Sequence, residues 1–395
     1  MPRAIVALAI GAFAIGSTEF VVIGLLPQIG AGLSATIPAM GLLITAYALG
    51  VVIGAPTLTA LSSRLTTRQT LISLMGIFIL GNSLSAVAPS YGVLIGARVL
   101  TALAHGSFFG VGAIAARRAV VPGKATQAIS MMFLGLTLSN VIGVPGATWL
   151  GQRIGWRLIF AGIAVLGVIT VLALRAWLPV DDVRIDLRSE IGAFRKPRVW
   201  LGLGITTIGF GSLFAVYSYI SPILTTLAGV DENGVTIVLV LFGIGTTIGA
   251  VLGGRFGDRW GLRAVAAGLF VVTGLLALFT ITSHNPITAA GTLVLFGAVA
   301  FSLGPIVQNR IIEAAGAGGS LVSAANQGAF NVANAIGAAG GAYVIRIGFG
   351  LTGTMWMGAG LAAAGALLVL YALSVDRRTP APAAVDHREL TSARN

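Results

Sequence analysis

Ala4 to Leu26 is an unbroken run of apolar and small residues that carries a single charge, Glu19. At about 1.5 Å per residue, a helix of that length crosses the roughly 30 Å of hydrocarbon in a bilayer. In lipid the backbone must satisfy its own hydrogen bonds, so such a run crosses as an α-helix. Twelve runs of this kind can be drawn, at 4–26, 38–61, 69–88, 92–115, 127–150, 157–178, 199–222, 235–254, 262–282, 286–309, 321–345 and 350–374. The predicted class is therefore an all-α integral membrane protein with twelve transmembrane helices.

Composition narrows the function. Only 9% of residues are charged, against about 25% in a soluble domain. Glycine, at 55 of 395 residues, is about twice its usual share, which suits close helix–helix approach in a membrane. With no cysteine, disulfides, thiolate metal sites and cysteine nucleophiles are excluded. His105, His284 and His387 are too scattered for a metal cluster. Neither a phosphate-binding loop nor a dinucleotide fingerprint is present, so no cofactor is expected and ATP is not the direct energy source. The opening Met1-Pro2-Arg3 and apolar run resemble a signal peptide. The run is too long for one and leads into no cleavage site, so it is read as a retained first helix.

The longest gap between spans, 179–198, is rich in charge and divides the chain. The expected domains are a six-helix bundle at 1–178, a cytoplasmic linker at 179–198, a second six-helix bundle at 199–375 and a disordered tail at 376–395. Four of the 24 Lys and Arg residues, Arg98 within a span and Arg153, Arg157 and Arg346, fall outside the segments on the side of the N-terminus. The positive-inside bias then places both ends and the linker in the cytoplasm. It also accounts for the net charge of +12 without nucleic acid. Anionic lipid headgroups are the expected neighbours.

The halves repeat. Gly50-x-x-x-Gly54-Ala55 recurs 195 residues on as Gly245-x-x-x-Gly249-Ala250, and the same shift carries Arg64 to Arg259, Arg68 to Arg263 and Ser63 to Asp258. A repeated six-helix unit of one orientation is a transporter plan with its site between the halves near the midplane.

The loop Gly253-Gly254-Arg255-Phe256-Gly257-Asp258-Arg259-Trp260-Gly261-Leu262-Arg263 resembles the G-x-x-x-D-R-x-G-R/K loop of the major facilitator superfamily. Its first-half counterpart, Ser62 to Arg68, lacks the acid and the second glycine. Thr18-Glu19-Phe20, Gly54-Ala55-Pro56, Arg98 and the run His105 to Gly112 are similar to the bacterial twelve-helix drug:proton antiporters. Within that branch the chain resembles arabinose-efflux-type permeases and chloramphenicol-resistance exporters. Gly143-x-Pro145-Gly146 is similar to the antiporter motif of helix 5. The resemblance implies a bacterial-type plasma membrane, proton-coupled export of a small molecule, and gating by Arg64, Arg68, Asp258, Arg259 and Arg263.

Glu19 and Arg98 are the two charges deep in the spans, both roughly 10 Å below the outer surface by helical rise. A buried charge is costly and marks function. Matched depth permits pairing or a shared cavity. Glu19 reads as a proton or substrate site; the alternative is a static salt bridge. Arg98, Thr101, His105 and Phe109 share one stripe of helix 4. His105 reads as a proton relay or as a neutral histidine bonded between helices. Ser323, Gln327, Asn331 and Asn334 share a stripe of helix 11, beside Asn326, and Gln308 and Asn309 lie near the inner end of helix 10. These amides read equally as polar-substrate ligands or as interhelical bonds. Phe210, Phe214 and Tyr217 on helix 7 suit an amphipathic ligand, and Tyr217 alternatively anchors at the interface with Tyr219. Asn140 on helix 5 joins the candidate substrate residues. Gly106, Gly110, Gly337 and Gly341 are read as packing positions.

The expected function is proton-driven export of a small amphipathic compound by a monomer. The alternatives are an exporter of a sugar or other polar metabolite, and a membrane ligand sensor. An enzyme is not expected, because no nucleophile–base pair can be assembled.

Overall fold

A computed structural model describes residues 2–35, 37–180, 186–316 and 319–378. Among the described residues there are helices and no strands. The membrane-crossing helices are α1 (Arg3–Leu33), α2 (Ile37–Leu61), α3 (Thr67–Ala86), α4 (Tyr91–Arg118), α5 (Ala125–Leu138, continued through Ser139–Gly143 into Val144–Ile154) and α6 (Trp156–Trp177). The second set is α7 (Pro197–Tyr217), α8 (Glu232–Trp260), α9 (Leu262–Thr282), α10 (Pro286–Ala315), α11 (Ser320–Val344) and α12 (Gly350–Arg378). A short linker helix, Leu187–Ala193, lies between the sets.

Local chemistry fixes many of the starts. Thr66 and Gln69 form a reciprocal capping box on α3, which satisfies two otherwise orphaned N–H groups. Ser90 accepts from Val93 N–H at α4, Asp231 from Gly234 N–H at α8 and Asn285 from Ile287 N–H at α10.

The packing repeats as the sequence does. In the first half α2 lies on α4, α1 on α5 and α6, and α3 on α6; in the second, α8 lies on α10, α7 on α11 and α12, and α9 on α12. The repeated glycines explain the α2–α4 and α8–α10 pairs. Gly50 and Gly54 face Ala102 and the backbone of Leu103, and Gly245 and Gly249 face the backbones of Val294 and Ala298. A Cβ added at Gly50 would stand 2.8 Å from that of Ala102, so these backbones approach only because the residues are small. Gly106 similarly meets Ala55, and Gly337 meets the backbone of α7. The halves join along α5–α8 and its repeat-related mate α11–α2, with α4 against α11.

Several helix ends differ from expectation, among them α1, which runs on to Leu33, and α10, which runs on to Ala315. The Gly253–Arg263 segment is mostly helix: α8 continues to Trp260, and the chain turns at Gly261, whose φ of 51° favours glycine. The tail does not begin at Asp376, because α12 runs to Arg378. Asp376 holds the helix end by accepting from Arg198 Nε at 3.1 Å and from Arg310. Residues 379–395 lie outside the described set.

Candidate functional site

Between the halves lies a cavity of about 120 Å³. α1 contributes Glu19 and Phe20, α4 His105, and α5 Phe133, Leu136, Thr137 and Asn140. α7 adds Phe210, Leu213, Phe214 and Tyr217, and α8 Phe242 and Ala250. α10 adds Phe301, Gly304 and Pro305, and α11 Gln327, Phe330, Asn331 and Asn334. The wall is aromatic with one acid and a few amides, the composition of a small-molecule pocket.

Nine of the predicted site residues meet here: Glu19, His105, Asn140, Phe210, Phe214, Tyr217, Gln327, Asn331 and Asn334. Asn140 reaches the wall from a π-helical turn in α5 at Ser139–Gly143, which adds a residue to the turn and re-aims the side chains around it. Tyr217 stacks on Phe242, with ring centroids 5.4 Å apart, and Phe210 meets Phe330 edge-on at 4.6 Å. Tyr219 instead donates to the carbonyl of Ala338 at 2.6 Å, tying α7 to α11.

Arg98 and Phe109 are not on the wall. Arg98 is 1% exposed. Its Nη1 donates to the Thr18 carbonyl at 2.6 Å and to the Thr18 hydroxyl at 3.2 Å, and its Nη2 reaches the Glu19 carbonyl at 3.5 Å. Its guanidinium lies 4.2 Å from the ring centre of Tyr47. Thr18 in turn donates to Asn82 Oδ1 at 2.6 Å, and Asn82 donates to the Phe78 carbonyl at 2.9 Å. The matched depth of Glu19 and Arg98 is real, but the guanidinium binds the backbone of α1 and not the Glu19 carboxylate. The carboxylate is left facing the cavity. Phe109 is fully buried against Phe133 and His105 in the core of the first half.

His105 shares a hydrogen bond of 3.1 Å with the Tyr47 hydroxyl through Nδ1, which links α4 to α2. The amide stripe of α11 divides. Toward its N-terminal end, Gln308 Nε2 donates to Ser323 Oγ at 2.5 Å, while Asn326 and Gln327 both donate to Gln308 Oε1. Thr206 closes this net on Asn326 Oδ1 at 2.6 Å. Further along, Gln327, Asn331 and Asn334 reach the cavity. Asn309 stands apart and donates to Glu313.

Among the gating candidates, Asp258 crosses between the halves. Its two carboxylate oxygens accept from Thr126 N–H at 2.7 Å and Gln127 N–H at 3.0 Å, in the first turn of α5. An anion is favoured there by the unpaired N–H groups and the helix dipole. Arg259 leans toward Trp260, Arg68 donates to the Arg175 carbonyl, and Arg64 and Arg263 are exposed. Phe133, Phe242, Phe301 and Phe330 were not singled out from the sequence. Phe133, Phe242 and Phe301 lie among many apolar residues on their helices, whereas Phe330 adjoins the amide stripe of Gln327, Asn331 and Asn334, which could have marked it.

Two repeated six-helix bundles with a polar-studded aromatic cavity between them define a membrane transporter of the two-bundle kind. The chain belongs to the Major Facilitator Superfamily, whose family model matches residues 8–328 and 199–394. It is 43% identical over 367 residues to the inner membrane transport protein YdhP of Escherichia coli (strain K12), covering 92% of this chain and 94% of that protein. It is 31% identical over 394 residues to a chloramphenicol resistance protein of Streptomyces lividans, covering 97% and 99%. Its fold matches the crystal structure of the E. coli fucose:proton symporter FucP with a TM-score of 0.77 at 13% identity, covering 93% and 98%. The protein is a multi-pass membrane transporter and not an enzyme.

Proposed function

We propose that the chain is a proton-driven exporter of small amphipathic organic compounds, acting as a monomer with both ends and the linker in the cytoplasm. The carrying observation is Glu19: among the described residues its carboxyl group has no hydrogen-bonded side-chain partner, and it lines an aromatic cavity between the halves. In the outward-facing state Glu19 takes a proton from outside and substrate leaves. In the inward-facing state the proton passes to the cytoplasm and substrate binds in its place. The chloramphenicol resistance protein among the relatives supports an amphipathic substrate. The test is flux in proteoliposomes under an imposed pH gradient. Wild type should accumulate a phenicol-type probe against its gradient, and Glu19→Gln, which keeps size but cannot ionise, should not. Gradient-driven accumulation by Glu19→Gln would remove Glu19 from coupling.

A second reading, export of a sugar or other polar metabolite, draws on Gln327, Asn331 and Asn334 at one wall. In the same assay a sugar panel that competes where the phenicol does not would favour it.

A further inference from the structure

The bond of Asp258, on α8, to the start of α5 has a counterpart that the repeat does not supply. The repeat-related helix of α5 is α11, which begins at Ser320 and Leu321. These two N–H groups are also held by one carboxylate, Glu190, at 3.0 Å and 2.8 Å. The repeat position of Asp258 is Ser63, in the turn between α2 and α3. The acid at α11 therefore comes not from the first half but from the linker helix.

The linker is fastened at a second point. Lys196 Nζ donates to the Ala315 carbonyl at 2.7 Å, at the C-terminal end of α10. A cation at the end of α10 and an anion at the start of α11 each match the dipole they meet. Between them Ala193 is buried in the core of the second half. Glu190 itself is 3% exposed. Burial pushes its carboxyl above the ordinary range, and the N–H bonds from Leu321 and Ser320 oppose that shift. Every one of these contacts joins the linker to the second half.

We propose that Glu190 pins the linker helix to the second half so that the two move as one body, which leaves Asp258 of α8, bonded to the start of α5, as the carboxylate that crosses between the halves at this face among the described residues. The proposal rests on the reading of the protein as an alternating-access transporter. The opening at this face must then break the two bonds of Asp258 and leave those of Glu190 intact. The gate is asymmetric although the fold is two-fold.

The experiment measures distances between spin labels and needs no transport, so it stands or falls separately from the flux assay. The chain has no cysteine, and Trp177, Ile191 and Tyr371 are 39%, 55% and 59% exposed. One pair, at Trp177 on α6 and Tyr371 on α12, reports the separation of the halves. The other, at Ile191 and Tyr371, reports the linker against the second half. Asp258→Asn should raise the long-distance population of the first pair about tenfold, the effect of losing one charge-assisted hydrogen bond, and leave the second pair unchanged. Glu190→Gln should broaden the second pair and leave the first unchanged. If Glu190→Gln does not fold, Glu190→Asp, one methylene shorter, reads the same two pairs. The proposal is overturned if the first pair lengthens in the Glu190 variant or stays fixed in Asp258→Asn. It is equally overturned if the second pair moves in Asp258→Asn or stays fixed in the Glu190 variant.

Discussion

Arg98 donates a hydrogen bond of 2.6 Å from its guanidinium to the backbone carbonyl of Thr18, and so fastens α4 to α1 one residue before the acid that faces the cavity. The arginine is a clamp on the helix that presents Glu19. Its planar fork spans two successive carbonyls while its face covers Tyr47, a combination that lysine lacks.

Arg98→Ala is therefore expected to act first on stability. It removes a fully buried side chain together with its hydrogen bonds, a loss of at least about 2 kcal/mol. Arg98→Lys should recover part of that loss. Thermal unfolding in detergent checks this. An unchanged melting temperature with lost flux would show instead that Arg98 acts on the transported species directly.

The two ends of the amide stripe should separate by substitution. Gln308→Leu removes the acceptor of the Asn326 and Gln327 amide N–H groups and the donor to Ser323 Oγ, so it should cost about 1–3 kcal/mol of stability. Asn334→Leu, at the cavity wall, should leave the stability within about 0.5 kcal/mol of wild type and change the selectivity among polar ligands. Melting curves and a competition panel run side by side distinguish the two; equal destabilisation by both substitutions would contradict the division.

Gly110 packs against the backbone of Ala324 across the halves, and a Cβ there would lie 2.6 Å from the Ala324 Cα. Ser323 also donates to the Gly110 carbonyl at 2.8 Å. Gly110→Val should hold the halves apart at this level. The long-distance population of the Trp177–Tyr371 label pair should rise several-fold, and flux should fall. An unaltered distance distribution would mean that α4 and α11 do not close the gate.

Orientation is checked by labelling. With the linker in the cytoplasm, a cysteine placed at Ile191 should react with a membrane-impermeant maleimide in broken cells and not in intact ones. Reaction in intact cells would invert the topology.

The twelve crossings, the two-fold plan and the matched level of Glu19 and Arg98 are legible in the sequence alone. Each of these follows from rules that act locally: backbone satisfaction in lipid, the cost of a buried charge, and the small residues that backbone contact demands. Only the tertiary structure decided which faces look inward. Lipid is as apolar as the helix interfaces, so Phe242 and Phe301, which line the cavity, carry the same polarity signal as exposed Phe270 and Phe349. The fork of Arg98 satisfies either a carboxylate or two carbonyls, and the register of α1 against α4 settled it on the carbonyls. Gln327 and Asn326 are adjacent amides, yet one reaches the cavity and the other is sealed against Thr206. Asp258 and Glu190 found helix starts more than a hundred residues away. Partners that distant are set by how whole bundles dock, and no local pattern in the chain encodes that docking.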